Sequence, residues 1–235
     1  MLGNDFLALI ATFAAALTWL RLMDFAAHRG WIESRLSRKI IHIGTGPLFV
    51  LCWLLFTQAP TARFLAALVP FAITAQFVLV GLGVIQDPAA VQAMSRSGDR
   101  REILRGPLYY GIIFVLVTLI FWLQTPIGIV ALMLVCGGDG MADIIGRRYG
   151  ERKLPWNDKK SWMGTLWFFI GGWLLTALIL AVFVAAGVFP APFNAYLFPI
   201  SVVALAATLV ESYSPPDIDN LTIALVSLAV GFLVF

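Results

Sequence analysis

Eight apolar stretches constrain the fold more than any other feature of this 235-residue chain: about Phe6 to Met23, Ile40 to Phe56, Phe64 to Ile85, Leu108 to Leu123, Ile127 to Ile145, Trp162 to Val188, Phe193 to Val210 and Leu221 to Phe235. Most approach the roughly 20 residues that a helix needs to cross a bilayer. No water is present in a membrane interior to satisfy backbone N–H and C=O groups, so stretches of this length resolve as α-helices. Composition settles the class: 60% hydrophobic and 12% charged residues, with a mean hydropathy of +0.90, exclude an ordinary soluble domain. The expected fold is all-α, a polytopic transmembrane bundle of about eight helices, forming a single integral-membrane domain over residues 1–235. No separate soluble domain, low-complexity tract or internal repeat is visible, so the repeat signature of many transporters is missing. The first stretch lacks a basic leader and a small-residue cleavage pattern and is expected as a retained span. Cys52 and Cys136 fall inside apolar runs, where cysteine acts as a small hydrophobe.

The basic residues set an expected orientation. Arg21, Arg29, Arg35, Arg38 and Lys39 surround the first loop, Arg96, Arg100, Arg101 and Arg105 the third, and Arg147, Arg148, Arg152, Lys153, Lys159 and Lys160 the fifth. Only Arg63 lies in an opposite-side loop. The positive-inside rule then puts the odd-numbered loops in the cytoplasm and both termini outside. The seventh loop shares the cytoplasmic face and is acidic, with Glu211, Asp217 and Asp219. A basic rim of this kind also contacts lipid headgroups. Membrane lipids are therefore expected partners, and nucleic acid is not. The longest connection, about Gln86 to Gly106, is expected as a flexible or amphipathic cytoplasmic segment.

Charges inside apolar runs are costly and mark function by default. Gly137-Gly138-Asp139-Gly140-Met141-Ala142-Asp143-Ile144-Ile145-Gly146-Arg147-Arg148 sets two carboxylates and two arginines at the end of an apolar run. Asp139 and Asp143, spaced i, i+4, share one helical face, and Gly138 and Gly140 allow close approach of a backbone or a phosphate. If the helix enters the bilayer at Pro126, a rise of about 1.5 Å per residue places Asp139 roughly 20 Å deep, recessed below the cytoplasmic surface. Asn220, near the start of a short last helix, is expected to be recessed in the same way.

Three further constellations face the same side. Arg38, Lys39 and His42 stand at the start of the second helix, with Arg38 and His42 on one face. Lys159-Lys160-Ser161-Trp162-Met163-Gly164 opens the sixth helix, where free N–H groups and two ammonium groups attract phosphate. Pro215 and Pro216 break the chain after Glu211-Ser212-Tyr213-Ser214, and Asp219 and Asn220 are placed to cap the next helix. Each also has a plain structural role open to it, as interfacial anchor, aromatic belt or helix cap. Together they supply what phosphoryl transfer needs: carboxylates for Mg2+, cations for phosphoryl oxygens, and a carboxylate to accept a hydroxyl proton. No G-x-x-x-x-G-K-[ST] loop or protein-kinase motif set is present, so any nucleotide is bound in another way.

Arg38-Lys39-x-x-His42, Gly138-Asp139-Gly140-x-Ala142-Asp143-x-x-Gly146-Arg147-Arg148-x-Gly150, Lys153-Leu154-Pro155, Lys159-Lys160-Ser161-x-x-Gly164, and Glu211 followed by Asp219-Asn220-Leu221-Thr222 together resemble phytol kinase and its farnesol-kinase relatives. These belong to the polyprenol kinase group that includes dolichol kinase and is related to the CDP-diacylglycerol synthases. The resemblance implies a membrane kinase that moves the γ-phosphoryl group of CTP to the primary hydroxyl of phytol, geranylgeraniol or farnesol, with Mg2+. Such kinases salvage phytol from chlorophyll and feed tocopherol and other prenyl lipids. It implies Mg2+ on Asp139 and Asp143, and phosphate or nucleotide contacts from Arg147, Arg148, Lys159, Lys160, Ser161, Gly138, Gly140, Asn220, Arg38, Lys39 and His42. Asp219, or failing that Glu211, would orient or deprotonate the alcohol, with Lys160 beside the reacting groups. The acidic motif departs from the family pattern: Tyr213-Ser214 stand where a Leu-Pro follows Glu-Ser, and Asp217-Ile218-Asp219 where two adjacent aspartates precede Asn. The base therefore stays open among Glu211, Asp217 and Asp219. With no transit-peptide stretch ahead of the first helix, a bacterial, cyanobacterial plasma or thylakoid membrane is the expected location. Cytidylyl transfer to a phosphorylated lipid would use the same metal and CTP, and a lipid carrier without chemistry is the alternative from another class.

Overall fold

The computed structural model describes residues 3–95, 97–215 and 217–235. Arg96, Pro216 and the side chain of Arg35 lie outside the described residues. The helices fall into two compact units, Met1–Ile120 and Phe121–Phe235.

The N-terminal unit comprises α1 (Asp5–His28), α2 (Ser34–Cys52, extended by a 3-10 turn at Trp53–Leu55), α3 (Ala62–Leu82), α4 (Pro88–Met94), a 3-10 turn (Arg100–Leu104) and α5 (Gly106–Ile120). Helix α1 begins where the Asn4 side chain accepts from the backbone N–H groups of Phe6 and Leu7, satisfying donors that a helix start leaves open. It packs on α2 and α3, and α3 packs on α5. The long third loop is ordered by local capping: Asp87 accepts from Ala90 N at 2.9 Å with Pro88 in the first turn of α4, and Asp99 accepts from Arg101 N at 2.9 Å. Ser97 Oγ donates to Glu102 at 2.9 Å. The segment expected to be flexible or amphipathic thus folds as two short helical pieces.

The C-terminal unit is built on one continuous helix, Ile127–Tyr149, made of α6 (Ile127–Met133), a π-helical turn (Leu134–Gly138) and α7 (Asp139–Tyr149). A two-stranded antiparallel hairpin follows, β1 (Lys153–Leu154) and β2 (Asn157–Ser161), then α8 (Trp162–Ala185), α9 (Asn194–Tyr213) and α10 (Asp219–Val234). Within the Ile127–Tyr149 helix 78% of the most apolar window is buried, against 17% for α1, which makes it the core element. Helix α6 packs on α8 and α10, and the π turn on α8. Among the described residues seven helices are long and apolar enough to cross a membrane, and the 16-residue α10 is a shorter apolar one. The chain is therefore a polytopic helical bundle.

The α7–α8 contact depends on glycine in both helices. A side chain at Gly164 would stand 3.2 Å from the Ala142 carbonyl oxygen and 3.3 Å from Gly146 Cα, and one at Gly138 would strike the Phe168 ring at 2.8 Å. Small residues at helical spacing let two membrane helices approach backbone to backbone. Gly164→Val is expected to destabilise this seam by about 1–3 kcal/mol through overpacking, read as a lower thermal midpoint in detergent. Gly106→Ala, which meets open space, is the control expected to leave the midpoint unchanged.

Candidate functional site

Helix α7 starts at Asp139, directly after the π turn, in the interior of the Ile127–Tyr149 helix. A π turn changes the backbone pairing register and re-aims the residues that follow. Asp139 and Asp143 are both partly buried, one turn apart. Arg147 Nε donates to Asp143 Oδ1 at 2.7 Å, with the arginine side chain 49% exposed and the aspartate 18%. A half-exposed i, i+4 pair contributes only about 0.3–0.5 kcal/mol, so it orients both groups more than it stabilises the fold. The terminal guanidinium nitrogens of Arg147 make no hydrogen bond to the described residues. The Arg148 guanidinium lies 5.5 Å from the centroid of the Tyr149 ring.

Lys159 and Lys160, expected at the N-terminus of a helix, lie instead on β2. The helix starts one residue later because Ser161 is its N-cap: Ser161 Oγ accepts from Gly164 N at 3.1 Å. That cap takes one acceptor position of the Ser161 hydroxyl and leaves its O–H able to donate. Gly138 and Gly140, expected beside a nucleotide, are both buried, and the Phe168 ring fills the space in front of Gly138. At Gly138 the small size serves helix packing.

Glu211, expected in a loop, belongs to the last turn of α9, which runs on to Tyr213. Proline has no N–H, so Pro215 and Pro216 have no donor to offer the carbonyls four residues earlier, on Glu211 and Ser212. The structure supplies others: Ser214 N donates to the Glu211 carbonyl at 3.1 Å, and Asn157 Nδ2 donates to the Ser212 carbonyl at 3.1 Å. The Lys160 ammonium pairs with Glu211 Oε1, with the lysine side chain 13% and the glutamate 5% exposed. Trp156 Nε1 donates to Ser212 Oγ at 3.3 Å, and its ring stacks on Tyr213 at 5.3 Å between centroids. The hairpin is thereby fastened to the end of α9 at three points.

Trp156 and Asn157 are missing from the sequence-derived constellations, and Ser212 and Tyr213 enter there only as neighbours of Glu211, although Pro155, Asn157 and Asp158 between Lys153-Leu154 and Lys159-Lys160-Ser161 form a turn signal. Trp156→Ala is expected to release the hairpin, removing an aromatic pair and a hydrogen bond worth together about 1–3 kcal/mol. Amide exchange across residues 153–161 should accelerate about tenfold or more. Unchanged exchange would show that Lys160 and Asn157 suffice.

Asp219 opens α10, but Ile218 is the N-cap residue and no side chain caps the helix. Asp219 Oδ1 accepts from Asn220 N at 3.0 Å. Capping, expected of both residues, is thus absent at Asn220: its side chain is 7% exposed and Oδ1 is buried without a hydrogen-bond partner among the described residues. A buried carboxamide oxygen without a donor costs about 1–3 kcal/mol.

In the N-terminal unit, Arg38 Nη1 donates to the Ser95 carbonyl at 2.8 Å. His42 lies beside Tyr110, ring centroids 4.5 Å apart, and Tyr110 donates its hydroxyl to the His42 carbonyl at 3.1 Å. Arg38 and His42 share a helical face, as their spacing predicts.

Among the described residues no group of three or more His, Cys, Asp or Glu side chains could hold a metal ion alone. Two carboxylates on one helical face suit a hard divalent cation whose other ligands are substrate phosphates and water. The donor set therefore fits Mg2+ carried with a nucleotide and does not fit a structural metal centre.

The chain is similar over its full length to curated plant proteins. It is 43% identical over 237 aligned positions to "Probable phytol kinase, chloroplastic" of Triticum aestivum, covering 100% of this chain and 79% of that protein. To "Probable phytol kinase 1, chloroplastic" of Oryza sativa subsp. japonica it is 43% identical over 234 positions, covering 99% and 74%. To "Farnesol kinase, chloroplastic" of Arabidopsis thaliana it is 38% identical over 234 positions, covering 99% and 76%. Plant chloroplast proteins lend no support to the bacterial source expected from the sequence. No family model matches the chain, and no solved structure matches it.

Proposed function

Because this chain belongs to the family of phytol and farnesol kinases, we propose that it is a membrane-embedded kinase that transfers the γ-phosphoryl group of CTP to the primary hydroxyl of phytol or a related isoprenoid alcohol. The observation that carries this reading is the 43% identity spanning 100% of the chain, which places the aspartate, double-lysine and acidic motifs inside one matched length. The product, phytyl phosphate, would serve tocopherol and prenyl-lipid synthesis and the salvage of phytol from chlorophyll. The basic loops put the reacting face on the cytoplasmic side with both termini opposite.

Asp139 and Asp143 would hold Mg2+, which when bound would offset negative charge on the phosphate oxygens. Lys159 and the terminal nitrogens of Arg147, with Arg148 behind them, hold the triphosphate. Lys160 is fixed by Glu211 and presents its charge from a rigid strand. Holding that ammonium is the first task of Glu211, so Asp219 is the better candidate to orient the alcohol and accept its proton, with Asn220 offering a buried acceptor next to it. The apolar helix faces accept the isoprenoid chain.

The test crosses phytol, geranylgeraniol and farnesol with the four common nucleoside triphosphates, using purified protein and Mg2+. CTP with a long isoprenoid alcohol should give the highest kcat/KM. Equal use of ATP would overturn the donor assignment, and no prenyl phosphate with any pair would overturn the kinase reading.

A further inference from the structure

The N-terminal unit contains an open cleft of about 1090 Å³ where α3 ends, α4 turns back and the 3-10 turn begins. Helix α3 stops at Gly83, which adopts φ +81° as its left-handed C-cap. The Arg100 guanidinium occupies the space that a side chain at Gly83 would need, so the glycine provides a seat for this arginine. Arg38 lines the same cleft and is oriented by its bond to the Ser95 carbonyl.

The acids of the lining already serve local structure. Asp87 Oδ1 caps α4 and its Oδ2 accepts from Gln76 at 3.4 Å, while Asp99 caps the 3-10 turn. Carboxylates turned onto the N–H groups of helix starts are offset by those donors. The Arg100 guanidinium lies against Gly83, and Gln92 adds an exposed amide on α4. At the rim Leu82 and Val84 are 58% and 71% exposed. Helix α3 is long and apolar enough to cross a membrane, so its end lies at the boundary between acyl chains and water. Guanidinium groups beside an apolar rim at that depth match an amphiphile with a phosphate head.

We propose that this cleft binds the phosphoryl group of a membrane-resident anionic amphiphile, with Arg100 and Arg38 on the phosphate and the acyl or isoprenoid chain along the exposed end of α3. The site does not depend on the kinase reading. Two sources share the chemistry: an anionic phospholipid of the bilayer and an isoprenoid monophosphate.

Native mass spectrometry of the full chain, released from micelles holding phosphatidylglycerol or phosphatidylcholine, tests it. The protein should retain one phosphatidylglycerol in preference to phosphatidylcholine. Retention should fall about tenfold in Arg100→Gln and in Gln92→Glu, and stay unchanged in Arg29→Gln, which removes a basic rim residue outside the cleft. Arg100 and Gln92 are exposed, so both variants should keep the parent thermal midpoint without lipid. Displacement by phytyl phosphate would identify the monophosphate as the occupant, and no displacement the phospholipid. Equal retention by Arg100→Gln, an equal loss in Arg29→Gln, or equal retention of phosphatidylcholine would each overturn the proposal.

Discussion

Asp139→Asn is expected to lower kcat by about a hundredfold or more, equivalent to about 2.7 kcal/mol of transition-state stabilisation, with little change in thermal midpoint. Asparagine keeps the shape of aspartate and removes its charge, and a hard divalent cation depends on anionic oxygen for much of its binding. Asp139 is partly buried, so neutralising it also relieves a desolvation cost. That gain offsets lost contacts and keeps the fold intact. The half-saturating Mg2+ concentration should rise in the same variant. Asp143→Asn weakens the pair with half-exposed Arg147, a contribution of about 0.3–0.5 kcal/mol. Full turnover by Asp139→Asn would remove the proposed metal role.

Glu211→Leu should have the largest effect on stability. It leaves the Lys160 ammonium, 13% exposed, without its carboxylate, and breaking one side of a buried pair costs about 3–5 kcal/mol. The double variant Lys160→Met with Glu211→Leu should recover most of the lost midpoint, because two apolar side chains replace two charges that were both costly to bury. On the proposed mechanism activity should not return with it, because Lys160 would supply charge to the phosphate. A double variant that regained both stability and turnover would reduce the pair to a structural fastening. The measurements are thermal melts and kcat on the same three preparations.

How much of this was visible beforehand follows from the range of each interaction. The spans were legible because membrane insertion imposes length and hydropathy on each segment separately, and the eight expected stretches coincide with the seven long apolar helices and the shorter α10 among the described residues. The i, i+4 relation of Asp139 and Asp143 was legible for the same reason, since helical periodicity is local. The Lys160–Glu211 pair was not, because 51 residues separate the partners and no local pattern encodes their meeting. Glu211 was misplaced into the loop because the two prolines mark where α9 must end without revealing that Asn157 would cover the Ser212 carbonyl. The hairpin was missed because β1 has two residues, too few for a periodic signal. Gly138 was read as room for phosphate or for backbone, and the Phe168 ring lies in front of it.

The most direct test of the account follows the label from γ-phosphate-labelled CTP with purified protein, Mg2+ and phytol. Phosphoryl transfer predicts label on the lipid as phytyl phosphate, with one CDP released for each product. Label recovered as pyrophosphate, or an alcohol left unmodified while CTP is consumed, would contradict it.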